Sequence, residues 1–259
     1  MTLFSGANHL LLKLILAPLI ISAATLISRR WGERIGGLIV GLPLTSAPVS
    51  VFFTLEQGRS FAASAAKNAM EGLIPVAIFC IGYALTAKKA TWVTTAALSV
   101  VFYVVTVLGI SFFDINLTGT LILVVGILIL ANMIIGHPPS GATRVEPVWW
   151  DIPLRMLIAS AMLIFITTAA GLLGSRWSGL LSPFPIFTFV MATFSHSQVG
   201  SDSAWKLLRG ILIGLFSYAA FFLIVGLFVS NWSLWLVYIV AAMAAVSING
   251  LSLLFLLRH

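Results

Sequence analysis

The sequence predicts an all-α fold, a polytopic membrane helix bundle of about nine transmembrane helices arranged as an inverted repeat of four spans, one linking span and four more. Three observations predict it: the composition, the recurrence of apolar stretches about 20 residues long, and an alignment of the chain with itself at an offset of 142 residues. Of the 259 residues, 60% are hydrophobic and only 8% charged, and the mean hydropathy is +1.12. An ordinary soluble domain carries about 25% charged residues, so a water-soluble fold is excluded.

A helix of about 20 apolar residues crosses roughly 30 Å of hydrocarbon. Read with this length, the chain divides into spans at 8–28, 35–57, 60–86, 91–112, 116–136, 152–173, 177–198, 203–229 and 232–257. The longest break runs from His137 to Trp150 and holds Pro138, Pro139, Gly141 and Pro147, so it reads as the midpoint. The first stretch, Leu10 to Ile27, lacks a positive leader and a small-residue cleavage site and is expected to be mature helix. Cys80 lies alone in an apolar run, which leaves neither a disulfide framework nor a thiolate metal cluster. The net charge of +7 comes from scattered basic residues without a run of the kind that binds nucleic acid.

Orientation follows from the same cations. Placing the N-terminus outside puts Arg29, Arg30, Arg34, Lys88, Lys89, Arg144, Lys206, Arg209 and Arg258 on the cytoplasmic side, and leaves Arg59, Lys67 and Arg176 outside. Tryptophans at or near span ends, among them Trp31, Trp92, Trp149, Trp150 and Trp232, suit the two membrane interfaces. The expected location is a bacterial inner membrane, with the C-terminus in the cytoplasm.

At the 142-residue offset, Gly32 to Leu85 aligns with Gly174 to Leu227 without a gap, and 13 of those 54 positions are identical. The identities include Gly32/Gly174, Arg34/Arg176, Gly37/Gly179, Pro43/Pro185, Gly58/Gly200 and Gly72/Gly214. The expected organisation is a first four-helix repeat over 8–112, a linking helix and loop over 113–150, and a second repeat over 151–257. Each helix lies five crossings from its counterpart, an odd number, so the two repeats are expected to point in opposite directions. Such repeats are characteristic of secondary transporters.

Spans 2 and 7 carry proline at mid-span, in GLPLTSAP and SPFPIFTF. Proline removes an amide donor and clashes with the preceding turn, so breaks are expected near Pro43 and Pro48, and near Pro183 and Pro185. Freed backbone groups at membrane depth must face protein or a wet cavity, which makes Thr45, Ser46, Ser50, Thr188, Ser195 and His196 candidate ligands. Three basic pairs also obey the offset: Lys13/Arg155, Arg34/Arg176 and Lys67/Arg209. Charge inside a membrane is costly and by default functional. With only seven acids in the chain, and Glu71 as the one neutraliser seen beside Lys67, the cations predict an anionic substrate. The alternative is that their long side chains snorkel to lipid headgroups. The candidate binding set is therefore Lys13, Arg34, Pro43, Thr45, Ser46, Lys67, Arg155, Arg176, Pro185, Thr188, His196 and Arg209.

The second repeat, through LRMLIASAMLI, SGLLSPFPIFTF and SDSAWKLLRGILIGLFSYAAFFLIVGLFV, resembles the small bacterial inner-membrane proteins called GlpM. The proline-phenylalanine break at Pro185 and the arginine-glycine helix at Arg209 carry the likeness over about 100 residues. The resemblance implies a fold unit more than an activity, and makes the chain look like a fused antiparallel pair of such units. PLTSAP departs from it by replacing aromatic residues with hydroxyls.

No GxxxxGK[ST], HExxH or GxSxG motif appears, the four histidines lack metal spacing, and no cofactor or enzymatic activity is expected. The partners expected are an anionic small molecule or lipid headgroup and the membrane lipids, with the chain a pseudo-dimeric monomer or a homodimer. The first functional expectation is a secondary transporter or lipid-headgroup translocator. An anion channel of fused dual-topology type, and a scaffold for polysaccharide or lipid assembly, are the alternatives.

Overall fold

The computed structural model of the protein describes residues 6–136, 148–173 and 184–258. Every regular element among them is an α-helix: α1 (Gly6–Trp31), α2 (Glu33–Val40), α3 (Ser46–Gln57), α4 (Arg59–Glu71), α5 (Leu73–Ala87), α6 (Trp92–Ile110), α7 (Leu117–Ile135), α8 (Asp151–Leu173), α9 (Ile186–Gln198), α10 (Ser201–Phe228) and α11 (Leu234–Arg258). Hydrocarbon leaves a backbone no water to bond, so helices that satisfy their own amides are what such a composition can build. Among the described residues, six stretches are long and apolar enough to cross a membrane: Leu14–Trp31, Arg59–Ala87, Trp92–Ile110, Leu117–Ile135, Ser201–Phe228 and Leu234–Leu254. The chain is a multi-pass membrane protein.

Proline sets the local interruptions. Between α2 and α3 the chain leaves the helix over 41–45, with Pro43 in the gap and Pro48 in the first turn of α3, where a missing amide costs nothing. Pro185 stands directly before α9, while Pro183 and Arg176 lie outside the described residues. A further interruption was not anticipated: α4 gives way to α5 at Gly72, because Pro75 has no amide for the carbonyl of Glu71. The corresponding position in α10 is Ser217, and α10 runs unbroken.

At the 142-residue offset, α1 overlies α8, α3 overlies α9, α4 with α5 overlies α10, and α6 overlies α11; α7 has no counterpart. The joints match as well. Gly58 (φ 89°, ψ 171°) links α3 to α4 and Gly200 (φ 117°, ψ 174°) links α9 to α10. A side chain at either φ is strained, so both joints need glycine.

α10 is the central helix, packed against α2, α4, α5, α7, α9 and α11. Its residues Leu207, Leu208, Ile211 and Leu212 share a core with Phe79 and Cys80 of α5 and Leu128 of α7. The outer helices α6, α7 and α11 expose large apolar side chains such as Val105, Ile122 and Val246, as lipid-facing helices do.

Candidate functional site: paired and unpaired cations

A glycine-lined crossing of α2 and α10 positions the first two cations. Gly37 of α2 abuts the carbonyl of Leu207, Gly41 abuts Gly214, and Gly210 of α10 abuts the carbonyl of Arg34, so backbone lies on backbone along the crossing. Small residues four apart allow that approach between membrane helices. The break after α2 frees the Leu38 carbonyl, because Leu42 donates instead to Ile39. Asn249 of α11, itself buried, donates its side-chain amide to Leu38 at 3.3 Å and satisfies that group.

Arg34 and Arg209 flank this crossing. Arg209 is only 9% exposed, and its Nε and Nη1 are buried without a hydrogen-bond partner. The charge it feels most strongly is that of Arg34, a second cation. A guanidinium holds five donors in a fixed fork suited to carboxylate or phosphate. Leaving buried donors unmet costs roughly 1–3 kcal/mol each, and more when they carry charge. The arrangement leaves buried guanidinium donors of Arg209 unmet on a crossing that also carries Arg34, two cations the sequence had singled out separately.

Arg155 is held differently. Asp151, 1% exposed at the start of α8, receives Arg155 Nε at 2.8 Å and Gln198 Nε2 at 2.7 Å on Oδ1, and Arg29 Nη2 at 2.5 Å on Oδ2. Gln198 Oε1 accepts from Arg155 Nη2 at 3.4 Å, and the Phe194 ring lies 4.8 Å from the guanidinium carbon. One carboxylate thus joins α1, α8 and α9. Burial works to raise the Asp151 pKa, but the hydrogen bond and charge of Arg155, then Gln198 and Arg29, outweigh it and keep the carboxyl below its ordinary range.

Near this hub, Glu33 opens α2 and meets the hydroxyls of Ser28, Ser195 and Ser203 from α1, α9 and α10. Ser195 and Ser203 bond each other at 2.8 Å. Glu33 Oε2 is buried with no hydrogen-bond partner. His196 Nδ1 lies 3.3 Å from the Tyr83 hydroxyl.

The remaining candidates lie elsewhere. Lys67 pairs with Asp114 at 2.8 Å and, as anticipated, with Glu71 at 3.5 Å. Ser46 accepts from Tyr218 at 3.0 Å, Ser50 and Thr54 share the Tyr238 hydroxyl at 2.8 Å each, Thr45 precedes α3, and Thr188 is buried in α9. The side chain of Lys13 is outside what the structure describes. The candidates therefore fall into separate groups, and among the described residues Arg34 and Arg209 are the candidate cations without an ion-pair partner. Sequence reading passed over Asp151, Glu33 and Gln198. The usable signal was the i,i+4 spacing of Asp151 and Arg155 in a chain with so few acids.

No protein-family model, no curated protein and no solved structure matches this chain.

Proposed function

We propose that the protein is a secondary transporter or lipid-headgroup translocator for a phosphate- or carboxylate-bearing substrate, and that Arg34 and Arg209 bind the anionic group. The observation that carries this reading is the buried Arg209 guanidinium, two of whose nitrogens have no hydrogen-bond partner and on which another arginine, Arg34, acts. A structural arginine in a membrane bundle is expected to be neutralised, as Arg155 is, or to snorkel to the interface. Nine spans in an inverted four-one-four plan would give two equivalent states, reached by rocking one repeat against the other about the broken spans 2 and 7.

The test is thermal stabilisation of the detergent-purified chain by phosphorylated and carboxylated metabolites, polyprenyl phosphates and halides. An anion at a hundred times its Kd stabilises by about 2.7 kcal/mol. Wild type should respond selectively and Arg209→Gln should not. Saturable counterflow of the selected anion in proteoliposomes should follow, whereas ohmic current would make the protein a channel. If no anion stabilises wild type and Arg209→Gln melts and functions like it, the substrate proposal fails.

A further inference from the structure

α2 is eight residues long and carries two ionisable side chains in succession, Glu33 and Arg34. Arg34 belongs to the anion receptor. Glu33 belongs to a different environment, a hydroxyl cage. Ser28 of α1 lies against Gly36, one turn further along α2, and Ser195 and Ser203, which bond each other, lie close enough to act on the carboxyl from α9 and α10. The Glu33 Oε2 and Ser28 Oγ atoms are both buried and both without a hydrogen-bond partner.

That cage suits two protonation states. An ionised carboxylate only accepts hydrogen bonds, whereas the neutral acid also donates one, and a serine hydroxyl does either. The cations close to Glu33 are already engaged with other partners. Arg155, whose charge does reach it, is bound to Asp151 and Gln198, and Arg29 is bound to Asp151. His196 contacts Tyr83, and Asp202 of α10 faces Lys88. Lys206 and Arg209 are the cations of α10 near this end, and α11 brings the neutral Asn249 to α2. Burial outweighs the charge of Arg155 and the three hydroxyls, so the Glu33 carboxyl titrates above its ordinary range.

We propose that Glu33 is a proton-binding site, and that its proton is taken up together with the anion at Arg34 and Arg209, which makes the transport reading above a proton-coupled one. The coupling half of this inference rests on that reading. Hydronium gives up its O–H proton to the carboxylate and leaves as water, and when the anion leaves the carboxyl O–H breaks and returns the proton to water as hydronium; nothing is oxidised. Both ligands load the same short helix, and linkage requires that each strengthen the other by the same factor.

The experiment is a pH titration of the detergent-purified full chain by infrared difference spectroscopy, which reads the carbonyl band of a protonated carboxyl. Sulfate serves as the anion because its charge stays fixed over the titration. Wild type should show a carboxyl band persisting above the ordinary carboxylate range, lost in Glu33→Gln and shifted in Glu33→Asp. Sulfate should move its midpoint upward by about one pH unit, a tenfold linkage, in wild type and not in Arg209→Gln. A band unchanged by Glu33→Gln overturns the proton site whatever anions do. A midpoint that ignores sulfate, while sulfate raises the melting temperature of wild type but not of Arg209→Gln, overturns the coupling and leaves the anion reading standing. Sulfate stabilisation equal in both proteins removes the anion reading, and the coupling with it, while the Glu33 band still decides the proton site.

Discussion

Arg155 and Arg209 are both buried arginines, and their surroundings differ: one is paired, and two nitrogens of the other have no partner. Arg155 is fixed by a carboxylate that also holds Arg29 and Gln198. Removing one partner of a buried ion pair strands the other, at a cost of about 3–5 kcal/mol. Asp151→Ala should therefore lower stability by that amount in urea or thermal melts. Asp114→Ala, which removes an almost fully exposed partner of Lys67, should leave the melting temperature close to that of wild type. Glu33 adds a pH signature. Its folded-state pKa is raised above the unfolded value near 4.5, so its stability contribution is whole below that pH and is lost as pH rises through the folded value. The melting temperature of wild type should fall relative to Glu33→Gln as pH rises from about 4.5, and the difference should level off once the carboxyl is ionised in both states.

At the scale of elements, the crossing of α2 and α10 is a tight constraint. Its glycines touch backbone, which cannot rotate aside, so Gly37→Ala should cost about 1–3 kcal/mol and disturb Arg34 along with the helix. Gly126 of α7 has nothing within 4 Å of the position a methyl would take. Gly126→Ala should be neutral or stabilise by up to about 1 kcal/mol. Chemical melts of the two variants side by side check both statements. The interruption at Pro43 and the start of α9 directly after Pro185 were legible because proline acts through its own missing amide. The division at Gly72 was legible in principle from Pro75 but was overlooked within an apolar run. The contacts of Gly37 with Leu207 and of Gly210 with Arg34 were not legible, since each glycine alone is an ordinary membrane-helix residue.

For the whole molecule, the matching order of elements and the shared glycine joints support two related halves, and the inverted arrangement of those halves has a direct test. Lys89 and Asn231 are both exposed, lie between helices, and are separated by the repeat offset of 142 residues. With Cys80 replaced by alanine, a membrane-impermeant maleimide should label Asn231→Cys in intact cells and Lys89→Cys only after permeabilisation. Labelling of both from one side would remove the inverted plan and its two equivalent states.

Composition and proline spacing determined, without any tertiary information, that this chain crosses a membrane as helices and where several of them are interrupted. Those properties are local: a backbone in hydrocarbon must bond within its own segment, and a proline breaks the segment that contains it. Which cations are neutralised was decided only by the tertiary structure. Arg29 and Asp151 are 122 residues apart in the chain, and Lys67 and Asp114 are 47 apart. Charges act through space over a few ångströms, and in a bundle that proximity is set by helix packing, so the sequence listed the arginines while the fold chose which of them remained unpaired.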